Sequence, residues 1–536
     1  MRVNLLLVFS ENFFATVCVV CYALLLPFAE TAQIDPKRCL VWGPGLKVHV
    51  NLPVRYFYIQ IVDTSGNNIT ESIGENPFKV SIHQRDDQER VRMRVDVLDR
   101  HDGVYIVRLR SYASSLDTDI HIWYNGQAVG KSPYHLPDPH YLTASEQDAS
   151  GTIYQEQCYC PCPSLSFWYE QLECPDHYQQ IEDDLSPFSN IDMDVVAQEI
   201  VTRFSDQGRH SLCHYKIINN KVYRKTYGTI IDFKIFVDAI LLSLVRKVKL
   251  ADVEFFVNLG DWPLETRHPK DGGVPILSWC GSDSTYDIVL PTYDITEATL
   301  EMLGRVSLDM LSVQANTGPT WENKSNVAFW RGRDSCRERL QLVEMSRKHP
   351  DMIDAALTNM FFFPKDENKY GQIVKPVSFF DFFKSKYQIN IDGTVAAYRF
   401  PYLIAGDSVV LKQESEYYEH FYKRLLPWKH YIPFKRDLSD LLQKIKWAQS
   451  HDREARQIAI NAQEFARENL MPPEVFCYHA KVLEALSQRL KHKPQGTEGF
   501  EHIEQPTHSL ESQCVCDRSV QDQYFKLQGK DAKQEL

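Results

Sequence analysis

The sequence lacks an excess of positive charge. Its 536 residues carry 59 Lys and Arg against 71 Asp and Glu, a formal net charge of −12. That balance excludes nucleic acid as the expected partner, because phosphate backbones are held by basic surfaces. The glycine-rich phosphate loops G-x-x-x-x-G-K-[S/T] and G-x-G-x-x-G are absent as well, so neither a P-loop NTPase nor a G-x-G-x-x-G dinucleotide enzyme is indicated. Acidic ligands for a divalent metal are missing from useful places. One D-x-D triplet, Asp117-Thr118-Asp119, sits in a strand-rich region, and the other, Asp192-Met193-Asp194, directly precedes a helix, where capping accounts for it. The cluster Cys158, Cys160, Cys162 and Cys174 contains no C-x-x-C pair, which favours disulfides over zinc. Nor is there a comfortable membrane span. The longest apolar run, Phe13 to Ala29, follows Met1-Arg2 and ends in small residues, the pattern of a signal peptide over 1–29 rather than an anchor.

What is present agrees with a secretory compartment. The last four residues, Lys533-Gln534-Glu535-Leu536, are close to the Lys-Asp-Glu-Leu address read by the retrieval receptor of the endoplasmic reticulum, with Gln534 as the departure. The expected location is the lumen of that organelle. Sequons at Asn68 and Asn323 are permissible glycosylation sites there. Two of the thirteen cysteines fall in the signal, and most of the other eleven are expected in disulfides of undetermined pairing. A hydrophobic fraction of 43% with 12% aromatics belongs to a globular chain, and the length calls for two or three domains.

Texture divides the mature chain into four stretches. Residues 40–137 are strand-rich. "RVRMRVDVL" and "YIVRLRSY" alternate apolar and polar residues on either side of an Asp102-Gly103 turn, and Asn125-Gly126 marks a second turn. Seven or so short strands in a hundred residues predict a β-sandwich. Residues 138–195 read as an irregular, acidic, cysteine-bearing linker. From 196 to 490 strands alternate with helices, with strands expected at 276–280, 287–291, 326–331, 387–391 and 408–412. The pattern predicts parallel sheets covered by helices in two α/β halves, and such sheets bind ligands beyond the carboxyl ends of their strands. Residues 491–536 read as a polar tail.

Three segments carry candidate chemistry. "NVAFWRGRDSCRERL" places Arg331, Arg333, Arg337 and Arg339 where a strand runs into a helix, offset only by Asp334 and Glu338. Ser335 and Glu338 fit a capping box for that helix. Arginine is the wrong charge for a helix start, and a bound phosphate resolves the conflict. A solvated face with local ion pairs is the competing reading. In "NIDGTVAAYRF" a strand ends at Ile391, Gly393 permits close approach of a ligand, and Arg399 follows in a helix expected to be capped by Thr394. In "VEFFVNLGDWPLE" a buried strand leads to Asp261, either a general base or an Asp bonded to its own turn.

Together with "SLCHYKIINNKVY", "RVSLDMLSVQANTGPTWE" and "YYEHFYKRLLPWKHYIP", these segments resemble the CAP10-domain protein O-glucosyltransferases. The match is to the KDEL-motif-containing subgroup. "GPGLK", "DGVYIVRLRSY" and "NGQAVGKSPY" resemble a filamin-type immunoglobulin-like repeat. The resemblance implies a multidomain chain, a filamin-like β-sandwich at 40–137 followed by a GT-B-type glycosyltransferase of two Rossmann-like halves at 196–490. It implies inverting transfer of glucose from UDP-glucose to serine of folded EGF-like repeats, as in Notch- and fibrillin-like secreted or membrane proteins, with no cofactor and no metal. Mapped residue by residue, the catalytic base falls on Asp261. The donor segment falls on Trp330, Arg331, Gly332, Arg333 and Arg339, with Arg339 holding the diphosphate, joined by Gly393 and Arg399. Arg333 stands where shorter members have serine, so a serine contact to the donor does not transfer, and preference between UDP-glucose and UDP-xylose stays open. The alternative is a non-catalytic lumenal binding protein for EGF-repeat clients.

Overall fold

A computed structural model describes residues 33–504 except 48–49, 51, 86–92, 112–116, 137–160, 207–209, 268–272 and 301–307. The signal segment, the terminal tetrapeptide and Cys158, Cys160, Cys514 and Cys516 lie outside the described residues.

The N-terminal region is a two-sheet sandwich. Strands Leu40–Trp42, Arg55–Gln60, Val104–Ser111 and Met93–Asp99 form one sheet, and Phe78–Gln84, Thr118–Tyr124, Gln127–Ala128 and Tyr134–Leu136 the other. Both expected turns are there. Gly103 has φ +79°, and a Cβ at that position would lie 1.7 Å from the Ile69 carbonyl oxygen, so no other residue fits. Asn125 and Gly126 both have positive φ, as a primed hairpin turn requires. The expected alternation is only half the story. Tyr105, Val107 and Leu109 face the sandwich core, but Ile106 is equally buried and belongs, with Val50, Leu52 and Tyr56, to the core of the next domain. The outer face of this sheet is therefore covered, and Arg108 pairs with Asp309 across the seam at 3.1 Å.

The stretch read as an irregular linker is helical from Leu165 onward, with helices Leu165–Leu172, Gln179–Leu185 and Met193–Phe204. Ser164 caps the first by accepting from the Phe167 amide. Trp168, Tyr178, Ile181 and Leu185 enter the large core. These helices are short and their exposed faces acidic, so their periodicity is weak in the sequence. A disulfide between Cys174 and Cys477, 303 residues apart, ties the stretch to the closing helix Pro472–Ser487. Replacing both cysteines with alanine is expected to lower the unfolding free energy by about 2–5 kcal/mol, measured by denaturant melts beside the parent protein. Among the described residues the other cysteines, Cys39, Cys162, Cys213, Cys280 and Cys336, are free thiols, so the expectation that most are bonded turns on the four outside them. Three of the free thiols are buried, where cysteine packs as a small apolar side chain.

Two α/β halves follow. The first has strand order Ile288–Val289, Ile276–Ser278, Val253–Asn258, Leu212–Ile218, Lys221–Tyr227, Glu501–Ile503. Only the first three run parallel; the rest are antiparallel. This departs from the expected parallel sheet. The cause is a hairpin turn at Asn219-Asn220, both in the left-handed region, a conformation asparagine tolerates. The last strand also shows that the region after 491 is not all tail. The second half is the expected parallel sheet, ordered Ile353–Asn359, Ala328–Arg333, Tyr387–Asn390, Val409–Gln413, Ile432–Phe434. Its central strands Tyr387–Asn390 and Val409–Gln413 are buried on both faces, as the interior of a parallel sheet demands. No described helix is long and apolar enough to cross a membrane.

Candidate active site

In the second sheet the chain order reverses between Ala328–Arg333 and Tyr387–Asn390, which sit side by side although Ile353–Asn359 intervenes in sequence. Open α/β sheets bind ligands outside the carboxyl ends of strands at such a point. A cleft of about 220 Å³ lies there, lined by Ser335, Cys336, Asp392, Gly393 and Gln413 from the second half and by Trp262 from the first.

The four arginines have three fates. Side chains alternate along a strand, so consecutive residues cannot all reach one cleft. Trp330 is fully buried, and Gly332 lies against its ring, where a Cβ would come within 2.6 Å. Arg331 points the other way, pairs with Asp354 at 2.8 Å and lies over Phe329. Arg339 is buried above the Trp330 ring. Its Nε donates to the Asp392 carbonyl at 2.7 Å, Nη1 to the Arg333 carbonyl at 3.1 Å and to Ser335 Oγ at 3.2 Å, and Nη2 to the Ile391 carbonyl at 3.3 Å. Read from the sequence as the holder of a diphosphate, Arg339 here ties together the ends of two strands. Arg333 and Arg337 are exposed and have no side-chain partner among the described residues. The local pairing weighed for Asp334 does not occur. That carboxylate is buried and accepts the Phe361, Phe362 and Phe363 amides at 2.8, 2.9 and 2.8 Å. Burial alone would raise its pKa, but the amides outweigh it and hold it below the ordinary Asp value.

Two expected caps are displaced. The helix Arg337–Lys348 has Cys336 at its N-cap without a side-chain bond, so the capping box is one residue out of frame and Ser335 serves Arg339 instead. The helix expected from Thr394 begins at Phe400, with Pro401 in its first turn and Arg399 at the N-cap, the place where proline is tolerated. Residues 392–399 are thus a loop along the cleft. Gly393 gives it a close approach: a Cβ there would sit 3.0 Å from Arg339 Nη2. Arg399 donates through Nη1 to the Arg331 carbonyl at 2.5 Å. Its pKa falls to about 9, chiefly through burial and then through the like charges of Arg339 and Arg333, against the opposing pull of Asp294. Among the described residues the other guanidinium N–H groups of Arg399 and all those of Arg333 find no hydrogen-bond acceptor, and an anion would satisfy them.

Across the cleft, Asn258 holds the turn that carries Asp261. Its Nδ2 donates to the Trp262 carbonyl at 2.6 Å and to Ser278 Oγ at 3.1 Å, and its Oδ1 accepts from the Gly260 amide at 2.9 Å. The Cys280 thiol donates to the Asp261 carbonyl. Asn258 is thus the side chain that bonds the turn, and the Asp261 carboxylate has no hydrogen-bond partner among the described residues. The spacing N-x-G was the available sign of this role. Desolvation by the cleft walls raises the Asp261 pKa, and the Arg333 guanidinium within electrostatic reach pulls it back. Beneath it Asp294 is pushed up to about 7 by burial, then by Glu297 and Asp261. Among the described residues, no group of three or more His, Cys, Asp or Glu side chains is gathered to hold a metal ion. Asn68 and Asn323 are both exposed.

Comparison with known proteins places this cleft. Residues 169–531 match the family described as Glycosyl transferase family 90, and residues 33–135 match the Filamin/ABP280 repeat. Protein O-glucosyltransferase 2 of Danio rerio is 54% identical over 482 residues, covering 90% of this chain and 93% of the relative. Protein O-glucosyltransferase 3 of Homo sapiens is 48% identical over 497 residues, covering 91% and 94%. Human Protein O-glucosyltransferase 1 is 29% identical over 357 residues, 64% of this chain and 86% of the relative. With its strand-end cleft, a family match over more than half its length and relatives sharing about half their residues along nearly all of it, the chain belongs to glycosyl transferase family 90 and carries a filamin repeat on its N-terminal side.

Proposed function

We propose that this glycosyltransferase is a protein O-glucosyltransferase that moves glucose from UDP-glucose to a serine of a folded EGF-like repeat, with inversion at the anomeric carbon. One observation carries the reading: an unpartnered carboxylate, Asp261, lies within electrostatic reach of Arg333 at a strand-end cleft, with the under-used guanidinium of Arg399 in the same charged cluster. The names of the relatives support a protein acceptor and glucose.

Asp261 takes the serine hydroxyl proton as the oxygen attacks the anomeric carbon from the face opposite the phosphate. The bond from that carbon to the diphosphate breaks, and UDP departs with the electron pair. Arg333 and Arg399 meet the growing negative charge, and Arg339 positions the loop and strand ends from which they act. On this reading the diphosphate is neutralised by guanidinium groups and the reaction proceeds without a metal. The signal-like segment and the terminal tetrapeptide support work in the lumen of the endoplasmic reticulum, with retrieval by the receptor for such tails. Calorimetric titration with UDP tests the donor site. Binding that persists in EDTA and is lost in Arg399→Ala is expected; binding that vanishes with EDTA contradicts it.

The base also sets a pH dependence. Asp261 works only when ionised, so transfer falls as pH drops through its pKa. Arg333 lowers that pKa, so Arg333→Ala is expected to move the acid limb of kcat/KM to higher pH, while Arg337→Ala leaves it in place. A pH–rate series on the three proteins decides this.

A further inference from the structure

The mouth of the cleft is apolar, although the residues behind it are charged. Phe361, Phe362 and Trp262 are 65%, 60% and 56% exposed. Trp262 and Phe362 line the cleft itself from opposite halves, and exposed Phe361 adjoins Phe362 in the chain. The backbone that carries the two phenylalanines is pinned, because the Phe361, Phe362 and Phe363 amides are all held by the buried Asp334 carboxylate. A rigid backbone that offers neighbouring aromatic side chains to water marks an interaction surface. The nucleotide diphosphate is a poor occupant of this surface, since its charge calls for guanidinium groups and not for aromatic rings.

We infer that Trp262, Phe361 and Phe362 form a lip that docks an apolar patch of the acceptor polypeptide beside its serine, and that Asp334 is the residue positioning the lip. The inference rests on the protein-acceptor reading above. That reading requires a folded domain to bring one hydroxyl to Asp261, and its flanking surface must then lie across this mouth. An apolar flank gains from covering the lip, whereas a polar flank would be desolvated without return.

The test uses the full chain and its Phe361→Ser and Phe361→Trp variants, with two readouts. UDP release from UDP-glucose without acceptor reports the donor site and bond cleavage. The KM for a folded EGF-like repeat reports docking. Phe361→Ser is expected to raise the acceptor KM about tenfold with UDP release unchanged, and Phe361→Trp to restore the parent KM. An unchanged acceptor KM in Phe361→Ser overturns the lip. So does a rise in the KM for UDP-glucose instead, which would assign the surface to the donor. Failure of the functional reading looks different: the parent protein then neither releases UDP nor modifies the repeat.

Discussion

Asp261→Asn is expected to reduce the single-turnover rate of glucose transfer by about 10²–10⁴-fold, the usual contribution of a positioned general base. The substitution keeps size and shape and removes only the capacity to take a proton. Because the Asp261 carboxylate accepts no hydrogen bond from the described residues, and Asn258 holds the turn, the melting temperature should stay within a degree or two of the parent. Affinity for UDP should rise or hold, since a negative charge near the diphosphate is gone. Loss of rate together with loss of folding or of UDP binding would show that Asp261 is structural.

Arg339→Ala and Arg399→Ala should fail in different ways. Arg339 is buried and satisfies the carbonyls of Arg333, Ile391 and Asp392. Removing it leaves those acceptors buried and unpaired beside a cavity, a cost of about 3–5 kcal/mol. Transfer is lost with it, but the first sign is a lowered melting temperature. Arg399 makes one hydrogen bond among the described residues, to the Arg331 carbonyl, and sits among like charges that disfavour its ionised form. Its removal should cost about 1 kcal/mol of stability or less, while UDP affinity drops at least about 30-fold. Thermal melts and UDP titrations on both variants separate positioning from contact. A melting temperature unchanged in Arg339→Ala, with UDP binding gone, would return the diphosphate to Arg339.

Much of the fold is written in local texture. Runs such as "VEFFVNL" and "DSVVL" are too apolar for half-exposed strands and do form buried ones, whereas "NVAFW" forms a strand whose residues alternate between buried and partly exposed. The Asp-Gly and Asn-Gly pairs mark real turns. What escaped the sequence depends on frame or on distance. Pro472 and Pro473 stand in the first turn of the closing helix Pro472–Ser487, where proline is tolerated. Ser335 stands one residue too early to cap. The antiparallel hairpin hung on Asn219-Asn220, a weaker turn sign than Asn-Gly. The docking of the sandwich and the Cys174–Cys477 bond join residues far apart in the chain, and no local pattern encodes them.

The site shows the same division. Clustering of arginines at a strand end was visible, and so was the carboxylate after a buried strand. Which arginine contacts and which supports was not, because strand alternation and burial decide it. Arg331 is turned toward Asp354, Arg339 is spent on backbone carbonyls, and Arg333 is left exposed within electrostatic reach of Asp261. Asp334 was counted as a local counter-charge, but it holds the amides of a loop 27 residues away.

The central claim is that Asp261 and the cleft arginines transfer glucose to a folded protein acceptor. The most direct test is the intact mass of a folded EGF-like repeat incubated with the purified full chain and UDP-glucose, beside Asp261→Asn and an EDTA control. One added hexose with the parent protein, kept in EDTA and absent with Asp261→Asn, is the predicted result. No added mass on any of a panel of folded repeats, from a protein that still binds UDP, would contradict the account and leave a nucleotide-binding protein without transfer.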